Sequence, residues 1–254
     1  MSAFSLRGRT ALVTGASRGI GRAIAVGLAE AGADLAVVAR DEAALADLAR
    51  EVTATGRAVE VLPCDVTDRA AVARTVAAAI DRLGHLDVVV NNAGGTAFRA
   101  PLTAIRPGGW ESVMRLNLDS VVSVCAAAGP HLLGRGSGSV INVASVAGLA
   151  GSPQLTPYAA AKAAVISLTR SLALEWGRSG VRVNALCPGW VETDLNVGLR
   201  ANPALAESLV AASALGRWAT PGELVGATVF LASDASSYVT GSVLVVDGGL
   251  TAGG

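Results

Sequence analysis

Seven short valine-rich runs alternate with longer helical stretches along the whole 254-residue chain, and this alternation restricts the fold more than any other feature. The runs are TALVT (10–14), DLAVVA (34–39), AVEVLP (58–63), LDVVVN (86–91), SVINVAS (139–145), VRVNALC (181–187) and SVLVVD (242–247). Their unbroken apolar character suits strands covered on both faces, as in a parallel sheet, rather than strands with one wet face. The intervening DEAALADLAREVTATG and DRAAVARTVAAAIDRLG open on acidic residues and close on glycine, which are helix start and stop signals. Strict strand–helix order predicts an α/β fold: one doubly wound, Rossmann-like domain over residues 1–254, with a seven-stranded parallel sheet and helices on both faces. No linker, charge block or repeat divides it. The one long irregular stretch, about 188–220, has the length of a mobile lid.

Composition excludes several classes of partner. Lys plus Arg and Asp plus Glu number 20 each, so no net field draws the chain to nucleic acid or to an anionic membrane. The opening MSAFSLRGRT has no apolar signal core, and no run approaches the roughly 18 apolar residues of a membrane helix; the expectation is a cytoplasmic protein. Cys64, Cys125 and Cys187 lie far apart with no CxxC pairing. That spacing suits buried reduced thiols rather than disulfides or a metal site. His85 and His131, the two histidines, sit where helices end or turns begin and are not assigned a function.

Two segments carry chemistry. TGASRGIGRAIAVGLAEAG follows the first strand and opens the first helix. Gly15, Gly19 and Gly21 let the backbone turn tightly and approach a pyrophosphate, which the free N–H groups and dipole of the helix N-terminus then stabilise. The spacing is GxxxGxG, neither the GxGxxG fingerprint nor a Walker loop. The second segment, PYAAAKAAV, places Tyr158 and Lys162 four apart, one turn from each other on a shared helix face. A free tyrosine, with a pKa of about 10, is a poor base at neutral pH. An ammonium within about 4–6 Å favours the phenolate, so the pair is expected to lower the tyrosine pKa. The small alanines leave room for substrate and cofactor.

The variant glycine loop, Thr14-Gly15-Ala16-Ser17-Arg18-Gly19-Ile20-Gly21, resembles that of the short-chain dehydrogenases/reductases. Further matches follow in family order: Asp65-Val66, Asn91-Asn92-Ala93-Gly94, Asn117, Ser145, Tyr158-x-x-x-Lys162 and Pro188-Gly189-x-Val191-x-Thr193, together spanning about residues 6 to 250. The resemblance implies a cofactor half of about 6–140 and a catalytic half of about 141–250. It implies hydride transfer between a nicotinamide cofactor and a carbonyl or alcohol substrate. Tyr158 would be the proton donor and Ser145 the carbonyl-oxygen donor. Lys162 would bond the nicotinamide ribose, and Asn117 would hold a relay water. It places Asp65 and Val66 at the adenine, Asn91, Ala93 and Gly94 behind the ribose, and Val191 and Thr193 at the carboxamide. The family's ribose-binding acid position, at the end of the second strand, holds Ala39 followed by Arg40. Arg40 with Arg18 would make charge-assisted bonds to a 2′-phosphate, so NADP(H) is expected over NAD(H). Asp41 reads as a helix cap rather than a substitute acid. Val146, Ala147, Gln154, Trp190 and Leu195 are candidates for the substrate pocket, by position alone.

VMRLNLDSVVSVCAAAG and AAAKAAVISLTRSLALEW are apolar on nearly every face, so each needs a partner beyond the sheet. The family pairs these helices across a twofold axis, and the C-terminal strand with VDGGLTAGG would supply a second interface, which implies a homotetramer, with a homodimer as the alternative. A 3-oxoacyl thioester reductase is one specific activity of such chains. LALEWGRSG places Leu174 and Glu175 where an acidic carrier protein would want added basic charge. A non-catalytic dinucleotide sensor is the rival from another class, but such a protein is expected to lose the tyrosine or lysine retained here. A nucleotide-sugar epimerase would carry an added substrate domain.

Overall fold

The computed structural model describes residues 2–253. All seven expected strands form, as β1 (Thr10–Thr14), β2 (Asp34–Ala39), β3 (Val59–Pro63), β4 (Val88–Asn91), β5 (Gly138–Val143), β6 (Val181–Pro188) and β7 (Val243–Val246). They make one parallel sheet in the order β3-β2-β1-β4-β5-β6-β7. The central strands are buried throughout, which accounts for their unbroken apolar runs. The edges differ: β3 exposes Glu60 enough for it to meet Arg82, and β7 is only half-buried.

The strand order reverses between β1 and β4, where Val13 lies between Val37 of β2 and Val90 of β4. Crossovers to the two sides of such a reversal leave a crevice at the carboxyl ends of the strands. One face of the sheet is covered by α1 (Gly19–Glu30), α2 (Glu42–Ala54) and α9 (Val225–Ala232), through Ile24, Leu28, Leu45, Leu48 and Leu231. The other carries α3 (Arg69–Leu83), α4 (Pro107–Met114), α5 (Ser120–Arg135) and α6 (Thr156–Trp176), through Val72, Val76, Val124, Leu132 and Val165. Two short helices, α7 (Val197–Arg200) and α8 (Pro203–Val210), occupy the stretch expected to be irregular.

Capping follows the sequence signals. Asp41 and Asp68 accept first-turn N–H bonds at α2 and α3, and α3 ends on Gly84 in the left-handed conformation. α4 and α5 are one continuous helix interrupted by a π-helical turn, Arg115–Asp119. Among the described residues this helix is long and apolar enough, by length and composition, to cross a membrane, contrary to the expectation from sequence. Half of its most apolar window is buried within the fold, as in a core helix. The three cysteines are free and buried.

Helix α1 meets the start of α9 at Gly27, where a β-carbon would lie 2.1 Å from Val225 Cγ1. Helix propensity alone would make Gly27→Ala stabilising by about 1 kcal/mol. The contact decides the opposite sign, because overpacking costs about 1–3 kcal/mol. Urea unfolding of Gly27→Ala is expected to show a lowered midpoint at unchanged slope; a raised midpoint would mean that α1 and α9 separate freely.

Candidate active site

The crevice at the β1–β4 reversal is a cleft of about 1550 Å³, running from the start of α1 past β5 and β6 to the C-terminal turn. One end is built by the glycine loop. Gly15 has φ +65°, and a β-carbon there would meet Ala93 Cα at 2.8 Å; one on Gly21 would meet the Gly15 carbonyl at 2.2 Å. Only glycine permits α1 to begin this close to the β4 exit. α1 starts at Gly19 with no side-chain cap and no acid in its first turn. Its leading N–H groups are therefore available to an anion. Ser17, Arg18, Gly19, Ile20 and Gly21 all line the cleft.

Arg40 lines the same end and makes no salt bridge among the described residues, while Asp41 spends its carboxylate on the Ala44 N–H at 3.0 Å. Asp65 and Val66 form the adjoining wall. Asp65 is held below the usual carboxylate range by the Thr67 backbone N–H, with the Thr67 hydroxyl and the Arg40 charge adding to it against the cost of burial. Free helix N–H groups beside Arg40, which has no salt bridge among the described residues, and beside Arg18, which meets Asp194 at 3.6 Å, suit a dinucleotide bearing an extra phosphate.

The far wall comes from β5, β6 and α6. Ser145 lies two residues beyond β5 and opens a 3₁₀ turn, Val146–Gly148, accepting the Ala147 N–H at 3.2 Å. Gly148 lets that turn lie on α6, since a β-carbon there would sit 2.7 Å from the Lys162 carbonyl carbon. Pro157 starts α6, so Tyr158 and Lys162 occupy its first two turns and face the cleft with Ser145. The Lys162 Nζ is buried, donates to the Val143 carbonyl at 2.8 Å, and stands 5.7 Å from the Tyr158 ring centre. Burial lowers Lys162 to about 8.

Tyr158 departs from expectation. Its pKa is raised, not lowered: burial penalises the phenolate and outweighs the facing Ser145 hydroxyl, which works in the other direction. The same burial weakens the charge on the lysine that was to stabilise it.

Asn117 occupies the π-helical turn, a distortion frequent at functional sites. Its amide is spent on backbone, donating to Gly95 O at 2.8 Å and Val113 O at 2.9 Å and accepting from Gly95 N at 2.8 Å. It does not line the cleft. Gly94 separates it from Lys162: a β-carbon on Gly94 would lie 2.8 Å from Asn117 Oδ1 and 3.1 Å from Lys162 Nζ.

Two further expected residues, Asn91 and Gln154, also lie off the cleft wall. Asn91 is buried and donates to Asn142 Oδ1 at 2.9 Å, away from the cleft, because the last residue of β4 points into the α5 side. Asn92 takes the expected place beside Ala93 and Gly94, donating to Thr14 O at 3.0 Å and Gly15 O at 3.2 Å. Gln154 is exposed in a left-handed turn (φ +65°) and is not part of the wall; its carbonyl accepts Ala100 N–H. Val146, Ala147, Pro188, Gly189, Trp190, Val191, Thr193 and Leu195 do line the cleft. So does Arg99, which sequence reading did not single out; it is exposed and makes no salt bridge among the described residues. Its signal was a lone cation in an otherwise apolar loop after the NNAG run, too common a pattern to stand out.

Comparisons with known proteins place the chain among dehydrogenases and reductases. Residues 15–251 match the family model described as Enoyl-(Acyl carrier protein) reductase. The gluconate 5-dehydrogenase of Gluconobacter oxydans is 42% identical over 98% of this chain and 96% of its own length. The 3-oxoacyl-[acyl-carrier-protein] reductase of Chlamydia muridarum is 40% identical over 95% and 97%. A gluconate 5-dehydrogenase from Burkholderia cenocepacia, solved in complex with NADP and tartrate, superposes with a TM-score of 0.95 at 43% identity, covering 99% of this chain and 98% of that one. The chain belongs to the short-chain dehydrogenase/reductase family.

Proposed function

We propose that this chain is an NADP(H)-dependent ketoreductase in which Tyr158 delivers the proton to the carbonyl oxygen. The observation that carries the reading is the placement of Tyr158, Ser145 and Lys162 on one wall of a cleft whose other end presents the α1 N-terminus, Arg18 and Arg40. When bound, NADP(H) supplies or accepts the hydride. Ser145 donates to the substrate oxygen and orients it. Tyr158, kept a phenol by burial, gives its proton to the oxygen as negative charge develops there. Lys162, fixed by the Val143 carbonyl, holds positive charge beneath the phenol. Asn117 acts by bracing the 94–95 turn against which Lys162 rests. Arg40 and Arg18 select the phosphorylated cofactor.

A compact substrate bearing a carboxylate fits best, because Arg99 lines the cleft exposed and without a salt bridge among the described residues. The names of the gluconate 5-dehydrogenase relatives point the same way. The assembly reading is a homotetramer with one twofold interface through the outer faces of α5 and α6, where Val122 and Leu174 are 39% and 85% exposed, and a second through the half-buried β7 and the C-terminal turn. A monomeric mass by sedimentation at micromolar concentration would contradict it.

The deciding assay follows NADPH consumption over compact ketones with and without a carboxylate and over 3-oxoacyl thioesters, with Tyr158→Phe in parallel. Wild type is expected to show its lowest KM for a carboxylated ketone. Tyr158→Phe should lose turnover by about 10²-fold or more yet still bind NADPH far more tightly than NADH. A variant of near wild-type rate removes Tyr158 as the acid, and equal affinity for the two cofactors removes the role of Arg40.

The lysine also sets a pH limb. Because its pKa is lowered to about 8, Lys162 is charged below that pH and neutral above it. kcat/KM for NADPH, which reports the free enzyme, is expected to be level up to about pH 8 and to fall beyond it. Lys162→Met should be slow at every pH and lack that inflection; the same limb in the variant would assign it to another group.

A further inference from the structure

Resting on the reductase reading, we propose that Trp190 is the wall residue that confines this enzyme to compact carbonyl substrates, and that Trp218 is the positioning residue that holds it there. Trp190 lines the cleft directly after the Pro188-Gly189 exit of β6. Trp218 is not on the cleft surface. It stands behind Trp190, with ring centres 5.2 Å apart and planes tilted by 56°.

Both indoles are fixed from the backbone outward. Ala219 N–H donates to the Trp190 carbonyl at 2.9 Å, Glu192 N–H donates to the Ala219 carbonyl at 2.8 Å, and Val191 and Ala219 form a parallel bridge. This bridge pinches together the two ends of the segment that carries α7 and α8. Just beyond, Arg217 grips Glu223 with both guanidinium nitrogens, at 2.9 and 2.7 Å, and Glu223 also takes the Thr220 N–H at 2.8 Å. The Trp218 indole N–H reaches across the pinch to the Ala206 carbonyl of α8 at 3.2 Å. Trp218 is therefore wedged between the pocket wall and a helix of the covering segment.

The consequence is mechanical. An isolated tryptophan at a pocket wall can swing to another rotamer and admit a longer ligand. Here that swing drives the Trp190 ring into Trp218, which can yield only by leaving Ala206 and displacing α8. An extended acyl chain directed at this wall meets a ring that cannot move; a ring-sized or six-carbon substrate does not. Tight packing of this kind makes pocket size a discrete property rather than an elastic one.

The test uses the full chain with NADPH and two substrates, 4-oxocyclohexanecarboxylate and a long-chain 3-oxoacyl N-acetylcysteamine thioester. Its readout is the ratio of their kcat/KM values. Wild type is expected to favour the compact ketone. Trp190→Ala should move the ratio toward the thioester by about tenfold or more, chiefly through KM. Trp218→Leu, which leaves the wall residue in place but unbacked, should move it the same way by a smaller factor. Trp218→Phe keeps a ring behind Trp190 and should retain the wild-type ratio, a rescue that a general folding defect would not give. The proposal is overturned if wild type prefers the thioester, or if Trp190→Ala and Trp218→Leu change both substrates by one common factor. Should Trp190→Ala not fold, the Trp218→Leu and Trp218→Phe pair decides alone. Failure of the reductase reading shows separately, as a Tyr158→Phe protein that still turns over.

Discussion

The seam between β1 and β4 is the constraint on which the site depends. Two parallel strands that diverge to opposite crossovers leave their carboxyl ends without ladder partners, and buried backbone groups there must be satisfied by other means. Thr14 and Asn92 do this reciprocally. The Thr14 hydroxyl accepts the N–H groups of Asn92 and Ala93 at 3.0 and 3.1 Å, while the Asn92 amide donates to the carbonyls of Thr14 and Gly15. With the seam closed, the glycine loop and the 92–95 turn are fixed against each other, and α1 points its N-terminus into the cleft. A side chain on Gly15 or Gly21 would wedge the seam apart, so the glycines serve packing as much as phosphate approach.

From the seam a continuous set of contacts leads to the chemical end. The 94–95 turn is clamped by Asn117, whose position depends on the π-helical turn between α4 and α5. Gly94, lacking a β-carbon, leaves room for the Lys162 amine beside that turn, and Lys162 is anchored to the end of β5 through Val143. The exit of β5 carries Ser145 onto α6 beside Tyr158. Three elements distant in sequence therefore fix one lysine. Such over-determination holds a buried amine in place despite the cost of desolvating it.

Much of this was legible in the sequence because it is local or periodic. Valine runs marked every strand, Asp41 and Asp68 announced their helices, and the Tyr158–Lys162 spacing forced a shared helix face. The glycine loop was readable because positive φ and close approach leave few residue choices. What escaped depends on long-range geometry. Which of Asn91 and Asn92 faces the cleft turns on where β4 ends, and a one-residue shift exchanges the two faces. Gln154 sits in a left-handed turn that its sequence does not advertise. Arg99 and the backing of Trp190 by Trp218 come from segments with no pattern of their own, brought together by the tertiary fold. The long apolar helix of 107–135 met a membrane criterion because burial between sheet and neighbouring helices selects the same residues as lipid does.

The pKa of Tyr158 is the instructive failure, because the sequence argument named the right pair and the wrong balance. Proximity to an ammonium favours a phenolate, but the elements that bring Lys162 near also bury that amine and half-bury the tyrosine. Desolvation disfavours every charged form, so it raises the phenol and lowers the amine together. The protein by itself therefore presents a protonated tyrosine over an amine whose charge is marginal near pH 8. A phenol in that state can give its proton to a carbonyl oxygen as that oxygen gains electrons. The reverse reaction needs the phenolate, which the Ser145 hydroxyl favours against the cost of burial. The packing that orders the site thus also fixes the protonation state in which the free chain meets its substrate.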